Sequence, residues 1–307
     1  MIEAVRKGGL LPAEKPLVAM LSGGRDSVCL LDLAARLLGA DQVTALHVNY
    51  GLRDNSDADE DHCAALCEGL GVTLEIERPR RPEGPGNLQA WARDTRYAAA
   101  ARLALRADAL IATGHTADDQ VETILYRLAS SPSRRALLGM RPRDGKLVRP
   151  LLPFAREQTT AYCQERGLAW RDDPTNSEPA YARNRVRHGL ARALAEVHPA
   201  AAQNVLRTAE LLRDEAEVLD ALVAAELDGS SGSPRGTIEL DRLAELPPAL
   251  RRLVVQQLAD RAAGRPVAGA ARHAEQVAAL RRTGVAMLDL GGGVRAIAER
   301  GTLRAER

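Results

Sequence analysis

The chain of 307 residues, 45% of them hydrophobic, is long enough for two domains, one large and one small, with a substantial core. Its 42 Lys and Arg against 41 Asp and Glu leave a net charge of +1, which excludes attraction of nucleic acid by bulk charge and leaves that task to local basic patches. No apolar run reaches the roughly 20 residues of a bilayer span, and MIEAVRKGGLLPAEK lacks a signal peptide's apolar centre and cleavage site, so a cytoplasmic protein without membrane attachment is expected.

In chain order, the apolar run Leu17 to Leu21 reads as a buried strand and VCLLDLAARLL as a helix, with SGGRDS (Ser22, Gly23, Gly24, Arg25, Asp26, Ser27) between them. Two adjacent glycines let a backbone approach an anion closely. The first amides of the helix point outward unpaired at the positive end of its dipole, and Ser22 and Ser27 add hydroxyl donors. The turn has no lysine and the chain no G-x-x-x-x-G-K-[ST] pattern, which argues against the ordinary Walker loop; G-x-G-x-x-G is not matched either. A serine-glycine turn capped by Asp26, with no ligand, would carry the same hexapeptide.

QVTALHVNYG then reads as a strand, SDADEDHCAALCEGLG as a helix with its acids in the first turn, VTLEIER as a strand, and NLQAWARDTRYAAAARLALRA as a long helix. DALIATGH is a short apolar strand, followed by the helix TADDQVETILYRLAS. Such alternation predicts an α/β fold, a doubly wound and mostly parallel sheet with its ligand at the carboxyl ends of the strands, where SGGRDS, HVNYG and TGH all fall. From REQTTAYCQERGLAW the alternation fails. Helical patterns dominate from Asn184 to Leu227, the last a long amphipathic helix. DGSSGSPRG is a flexible boundary. Beyond it, two helical patterns and a hairpin turning at Gly291 to Gly293 make a small mixed α/β domain; no helix follows that triple glycine, which favours a turn over a phosphate loop. The boundaries expected are 1–198 for a catalytic domain, 199–228 for a connecting helix and 229–307 for the C-terminal domain.

GHTADDQVETILYRL places His115, Asp118, Asp119 and Glu122 at a helix start, where spacings of three and four put His115, Asp119 and Glu122 on one side. Two carboxylates and an imidazole there can hold Mg²⁺, bind an ammonium group or relay a proton; helix capping by Thr116 or Asp118 with surface acids is the alternative. Arg93 and Arg96 share a helix face next to Tyr97 and can meet phosphates or a carboxylate. Basic residues also gather at Arg134, Arg135, Arg141, Arg143, Lys146 and Arg149, and at Arg183, Arg185, Arg187 and His188, which suits an RNA backbone or a polyphosphate as well as a solvated surface.

SGGRDS resembles the PP-loop of ATP pyrophosphatases. Together with HVNYGLRDNSDADED, NLQAWARDTRY, GHTADDQVET, VRPLLPFARE and DDPTNSEPAYARNRVRH, in this order from Leu17 to His188, it resembles the tRNA(Ile)-lysidine synthetases, N-type PP-loop enzymes. That resemblance implies a HUP-like adenine-nucleotide α-hydrolase fold and a ligase forming a carbon–nitrogen bond. ATP adenylates O2 of the wobble cytidine in the CAU anticodon of tRNA(Ile), free L-lysine attacks C2, and AMP leaves. It further implies ATP contacts from Ser22, Gly23, Gly24, Arg25, Asp26, Ser27, His47 and Gly114, with Mg²⁺ at Asp26. Catalytic roles fall to Asp26, His115, Asp119, Glu122 and Arg96, and contacts to tRNA or other substrate to Arg93, Arg134, Arg135, Arg183, Asn184 and Arg187. A C-terminal domain, 229–307, that clamps the tRNA stem and loop and a homodimer are part of the same expectation.

Two stretches depart from the family's pattern. Asn49 and Tyr50 stand where HVHHGLR is usual, and SSPSRRALLGM replaces a glycine-rich stretch. The rival readings are a PP-loop base thiolase and a non-catalytic domain that holds adenine nucleotides. The first usually needs a C-x-x-C pair or a catalytic cysteine, and Cys29, Cys63, Cys67 and Cys163 offer no such pair. The second would not need the acidic box.

Overall fold

The computed structural model describes residues 1–52, 55–82, 87–131, 134–171, 182–228 and 236–307, with Arg135 described by its backbone alone. Its contacts divide the chain into two compact units, Met1–Glu210 and Leu211–Arg307, each with its own apolar core.

The first unit runs α1 (Ile2–Lys7), β1 (Leu17–Met20), α2 (Arg25–Leu38), β2 (Val43–Val48), α3 (Ser56–Leu70), β3 (Thr73–Glu77), α4 (Leu88–Arg106), β4 (Leu110–Ala112) and α5 (Ala117–Ser130). There follow α6 (Arg134–Leu137), β5 (Arg143–Asp144), β6 (Leu147–Val148), α7 (Arg156–Glu165), α8 (Ala182–Arg185), a π-helical turn at Val186–Leu190, α9 (Ala191–Val197) and the beginning of α10 (Ala201–Leu227), whose residues from Leu211 on belong to the second unit. The strands form one sheet in the order β3-β2-β1-β4-β6-β5, parallel except for the antiparallel β5–β6 pair. The α/β alternation read from the sequence is therefore the architecture found. β1 is central, and the order reverses between β1 and β4, so the chain leaves their carboxyl ends in opposite directions and opens a crevice there.

Side chains of β1 alternate between two cores. Leu17, Ala19 and Leu21 pack with Val28, Leu31 and Cys163 on one face, and Val18 and Met20 with Ala99, Ala100 and Ala104 of α4 on the other. The alanines of α4 are what lets that long helix lie close to the sheet, since each projects only a methyl group. α2 is tied to α7 by a fully buried carboxylate: Asp32 accepts from Tyr162 Oη at 2.5 Å and from Arg166 Nε at 3.3 Å. Burial and the Asp32 bond push the Tyr162 phenol well above its ordinary pKa.

Two features escape sequence periodicity. β5 and β6 have two residues each, too few for an alternating pattern to register, yet β6 pairs parallel to β4 and β5 antiparallel to β6, which extends the sheet two strands beyond β4. Asn49, one of the departures from the family pattern, is buried and donates to Asp57 Oδ1 at 2.9 Å and Glu60 Oε2 at 3.0 Å, fastening the start of α3 to the end of β2.

The second unit contains β7 (Ile238–Glu239), α11 (Leu240–Glu245), α12 (Pro248–Ala263), α13 (Ala274–Ala278), β8 (Val285–Gly291), β9 (Val294–Glu299) and β10 (Thr302–Glu306). Its antiparallel sheet has the order β7-β10-β9-β8. Gly291, Gly292 and Gly293 have φ of 88°, 62° and 79°, the left-handed region that glycine enters freely, and they turn β8 into β9. The division between units falls inside α10, twelve residues beyond the expected end of the catalytic domain at 198. Most of the expected linker, 229–235, lies outside the described residues. No helix among the described residues is long and apolar enough to cross a membrane.

Candidate active site

The SGGRDS loop leaves β1 and enters α2 as its sequence suggests. Gly23 has φ 79°, and a Cβ there would lie 3.3 Å from Cys63 Sγ; Gly24 is the N-cap of α2. The two serines serve the loop itself. Ser27 Oγ donates to Gly24 O at 2.7 Å, accepts from Ser22 N at 3.2 Å and lies 3.0 Å from Ser22 Oγ. Those bonds hold the turn in shape, while the first amides of α2 have no partner within the helix. His47 sits beneath the loop, its Nδ1 3.0 Å from Leu21 O and 3.4 Å from Cys63 Sγ, and it is buried.

The loop and the GH box touch. A Cβ added to Gly114 would lie 2.8 Å from Asp26 O and 3.0 Å from Ser27 N, so only a glycine lets the end of β4 rest on the first turn of α2. From there His115 projects at the end of β4, with Nδ1 2.7 Å from Thr113 Oγ1. Burial pushes its pKa down to about 4; Asp119 opposes that shift, and Arg183, Arg149 and Arg96 reinforce it. The ring is therefore neutral at ordinary pH.

Asp119 both caps and pairs. Its Oδ2 accepts from Thr116 N at 2.8 Å at the start of α5, while Oδ1 accepts from Arg183 Nη2 at 2.8 Å and Arg156 Nη2 at 3.2 Å. Burial alone would raise its pKa, but Arg183, the Thr116 amide and Arg156 outweigh burial and hold it below the ordinary value. Glu122 is no surface acid, being 4% exposed. It accepts from Arg183 Nε at 2.9 Å, and Arg156 Nη2 and Arg187 Nε each lie 3.5 Å from its Oε1. Arg156 also faces Asp26, with Nε 3.9 Å from Oδ2, and its backbone N–H donates to Asp118 Oδ2 at 2.7 Å. Asp26 is further held by Thr159 Oγ1 at 2.5 Å and Arg25 Nε at 3.1 Å. Three carboxylates thus share the guanidiniums of Arg156, Arg183 and Arg187 directly beside the glycine loop.

Asp26, Gly114, His115, Asp119, Glu122, Arg183 and Arg187, expected to act together, are brought together. Arg96 lies near enough for its charge to act on His115. Arg93 lies across Tyr97, its Cζ 4.8 Å from the ring centre. Asn184 is buried in α8 and Arg134 starts α6, while the Arg135 side chain is outside the described residues, as are 172–181 of the DDPTNSEPAYARNRVRH segment. Arg156 and Thr159 were missed as site residues. Arg156 did fall within VRPLLPFARE, a segment already singled out, but nothing local distinguishes an arginine that starts a helix from one that spans three acids. Among the described residues no group of three or more His, Cys, Asp or Glu is arranged to hold a metal. Mg²⁺ in phosphate sites is commonly held by one or two carboxylates together with the phosphates, an arrangement that Asp26 alone at the glycine loop fits.

The PP-loop domain model matches residues 3–194. A tRNA(Ile)-lysidine synthase of Thermus thermophilus is 40% identical over 266 residues, covering 84% of this chain and 51% of the relative. One of Salinispora arenicola is 37% identical over 314 residues, covering 95% of this chain and 91% of the relative. The chain thus spans about half the length of several curated relatives it matches, and nearly all of the Salinispora one. In fold it is similar to the U34-tRNA thiolase NcsA of Methanococcus maripaludis, with a TM-score of 0.58 and 20% identity over 69% of this chain and 77% of that one. On the extent of the family match and of the Salinispora similarity, this chain belongs to the PP-loop domain family and, within it, to the tRNA(Ile)-lysidine synthases.

Proposed function

We propose that the chain joins free L-lysine to C2 of the wobble cytidine in CAU-anticodon tRNA(Ile), through a cytidine adenylated by ATP, releasing pyrophosphate and AMP. The observation that carries this reading is the contact of Gly114 with the Asp26 backbone, which seats a phosphate-type loop against a cluster of buried carboxylates and a neutral imidazole. In this reading the glycine loop and the first amides of α2 hold the pyrophosphate portion of ATP. Arg156 and Arg25 orient Asp26. Mg²⁺ at Asp26 would balance phosphate charge when bound.

Lysine must be chosen by its charge and yet attack as a neutral amine. Asp119 and Glu122 supply the charge selection, and the ammonium displaces the half-exposed Arg183 guanidinium from them. His115 is unprotonated at neutral pH and, with a pKa of about 4, a weak base as it stands; moving the Arg183 guanidinium away removes one of the charges that disfavour its imidazolium and lets it accept a proton. Arg183 and Arg187, once displaced, face the phosphate of the adenylated base. Contacts to the tRNA from Arg93, Arg134, Arg135 and Asn184, a homodimeric assembly and a cytoplasmic location belong to the same reading. The thiolase alternative loses ground on the cysteines. All four are buried, and burial, with nearby Cys67, Asp59 and Glu60, pushes the Cys63 thiol behind the loop up to about 12, which makes a poor nucleophile at neutral pH.

The test incubates the protein with ATP, radiolabelled lysine and an unmodified CAU-anticodon tRNA transcript. Label is expected in the RNA, and Glu122→Ala is expected to lower its incorporation at least a hundredfold. No label with lysine, but modification with a sulfur donor, would move the chain to the thiolases. An undiminished rate in Glu122→Ala would remove Glu122 from lysine selection.

A further inference from the structure

Arginines around the crevice fall into two sets. Arg156, Arg183 and Arg187 are matched by Asp26, Asp119 and Glu122. Arg93, Arg96, Arg127 and Arg149 lie together on α4, α5 and the end of β6, and among the described residues none of them has a carboxylate within ion-pair distance.

The second set is built into the protein. Arg149 is only 6% exposed; its Nη1 donates to Arg141 O at 2.5 Å, while Nε is buried with no partner. Arg96 Nε and Tyr97 Oη are likewise buried and unpartnered. Arg127 donates through Nη1 to Gly139 O at 2.8 Å. Burial lowers the pKa of both Arg127 and Arg149, with Arg93 adding to each shift and Arg127 to the second. Asp144 and Tyr97 oppose the shift of Arg149 from a distance, but no carboxylate among the described residues pairs with it. Buried donors left unpaired are expensive, and like charges gathered without a paired acid repel. An anion relieves both costs.

Position and aromatic content say which anion. Arg149 follows β6, His115 follows β4 and the glycine loop follows β1, three neighbouring strands in that order, so strand spacing sets the ends of β6 and β1 about 10 Å apart. The group therefore lies beyond His115 from the loop that would hold ATP. The chain has only 3% aromatic residues, yet Tyr97 carries Arg93 and Arg96 at 4.8 and 5.9 Å from its ring centre, and Trp91, on the first turn of the same α4, meets Tyr50 edge to face at 5.6 Å. Rings interleaved with guanidiniums are the chemistry by which single-stranded RNA is held, phosphates on the charges and bases on the rings.

We propose that Arg149 and Arg127, with Arg96 and Arg93 beside Tyr97, bind a phosphodiester of single-stranded RNA that directly flanks the target nucleotide, at a subsite separate from the ATP loop. The subsite rests on the RNA-modifying reading above and specifies which part of the RNA it grips.

The test measures binding of a CAU anticodon stem-loop RNA across a salt series, with native RNA and with versions carrying one neutral methylphosphonate 5′ or 3′ to the target cytidine. Wild-type protein should lose roughly tenfold or more in affinity when one of the two phosphates is neutralised. Arg127→Gln should show a similar loss on native RNA, little further loss on that neutral RNA, and a salt slope shallower by about 0.7, with ATP affinity unchanged. Arg149→Lys, which keeps the charge but not the fork, should be weakened too; if it fails to fold, Arg93→Gln and the neutral RNAs still decide. Native-like RNA binding by Arg127→Gln and Arg93→Gln, indifference of the wild type to both neutral phosphates, or a loss of ATP affinity instead would each overturn the subsite. A wild-type protein that makes lysidine but ignores both neutral phosphates refutes the subsite alone, whereas one that neither binds the RNA nor incorporates lysine refutes the parent reading as well.

Discussion

Burial and the charges of Arg183, Arg149 and Arg96 all act on His115 against protonation, and Asp119 alone opposes them. The consequence for stability has a definite sign. An unfolded chain protonates this imidazole near pH 6.5, whereas the folded one waits until about 4. Between those values the unfolded state binds the extra proton, so His115 makes folding weaker as pH falls through that window and has no effect above it. His115→Asn should therefore make the dependence of unfolding free energy on pH shallower by up to about 1.4 kcal/mol per unit between pH 6.5 and 4, read by urea titrations at stepped pH. An unchanged slope would mean that the ring titrates normally. At the same scale, Glu122 was legible as a residue of interest from its spacing to Asp119, but its burial and its three guanidinium neighbours were not, because Arg156, Arg183 and Arg187 all come from distant segments.

At the scale of elements, the crevice is a junction between the start of α2 and the end of β4. Its tightness rests on Gly114, where any side chain would press on backbone and not on a yielding side-chain tip. A Cβ at 2.8 Å from Asp26 O must displace one strand end from the other, and misplacement near 1 Å in a reacting site costs on the order of 10²-fold in rate. Gly114→Ala should thus lower AMP formation in the presence of tRNA and lysine by about a hundredfold. Gly69→Ala, on α3 with open space around it, should leave the rate unchanged. Equal rates for the two variants would show that the junction tolerates movement. The glycine was visible in the sequence as the end of an apolar strand, but the element against which it rests was not.

For the whole molecule, the separate cores of the two units predict separable stability. Leu303 on β10 is fully buried in the second core, with Ile238, Leu290 and Ala298 among its members. Leu303→Ala should destabilise that unit by about 2–5 kcal/mol, lowering one calorimetric transition while ATP binding, assigned to the first unit, persists and RNA affinity falls. Loss of ATP binding in the same transition would show the units to be one cooperative body. The antiparallel sheet of the C-terminal region accords with the smaller mixed α/β unit expected from the failure of α/β alternation. An uninterrupted amphipathic helix such as α10 gives no local sign of where along it the contacts divide.

What the sequence by itself determined is the part governed by neighbours in the chain. The run Leu17 to Leu21 must be buried, a double glycine before VCLLDLAARLL turns a strand into a helix, and Thr116, one of the two caps the sequence offered, stands at the N-cap of α5. Each follows from backbone conformation and short-range hydrogen bonding. Only the tertiary structure decided which distant groups share a charge. Thr159 reaches Asp26 across 133 positions, Arg183 reaches Glu122 across 61, and the two-residue strand β6 delivers Arg149 to the edge of the crevice. Packing of separate elements sets those pairings, and no periodicity along the chain records them.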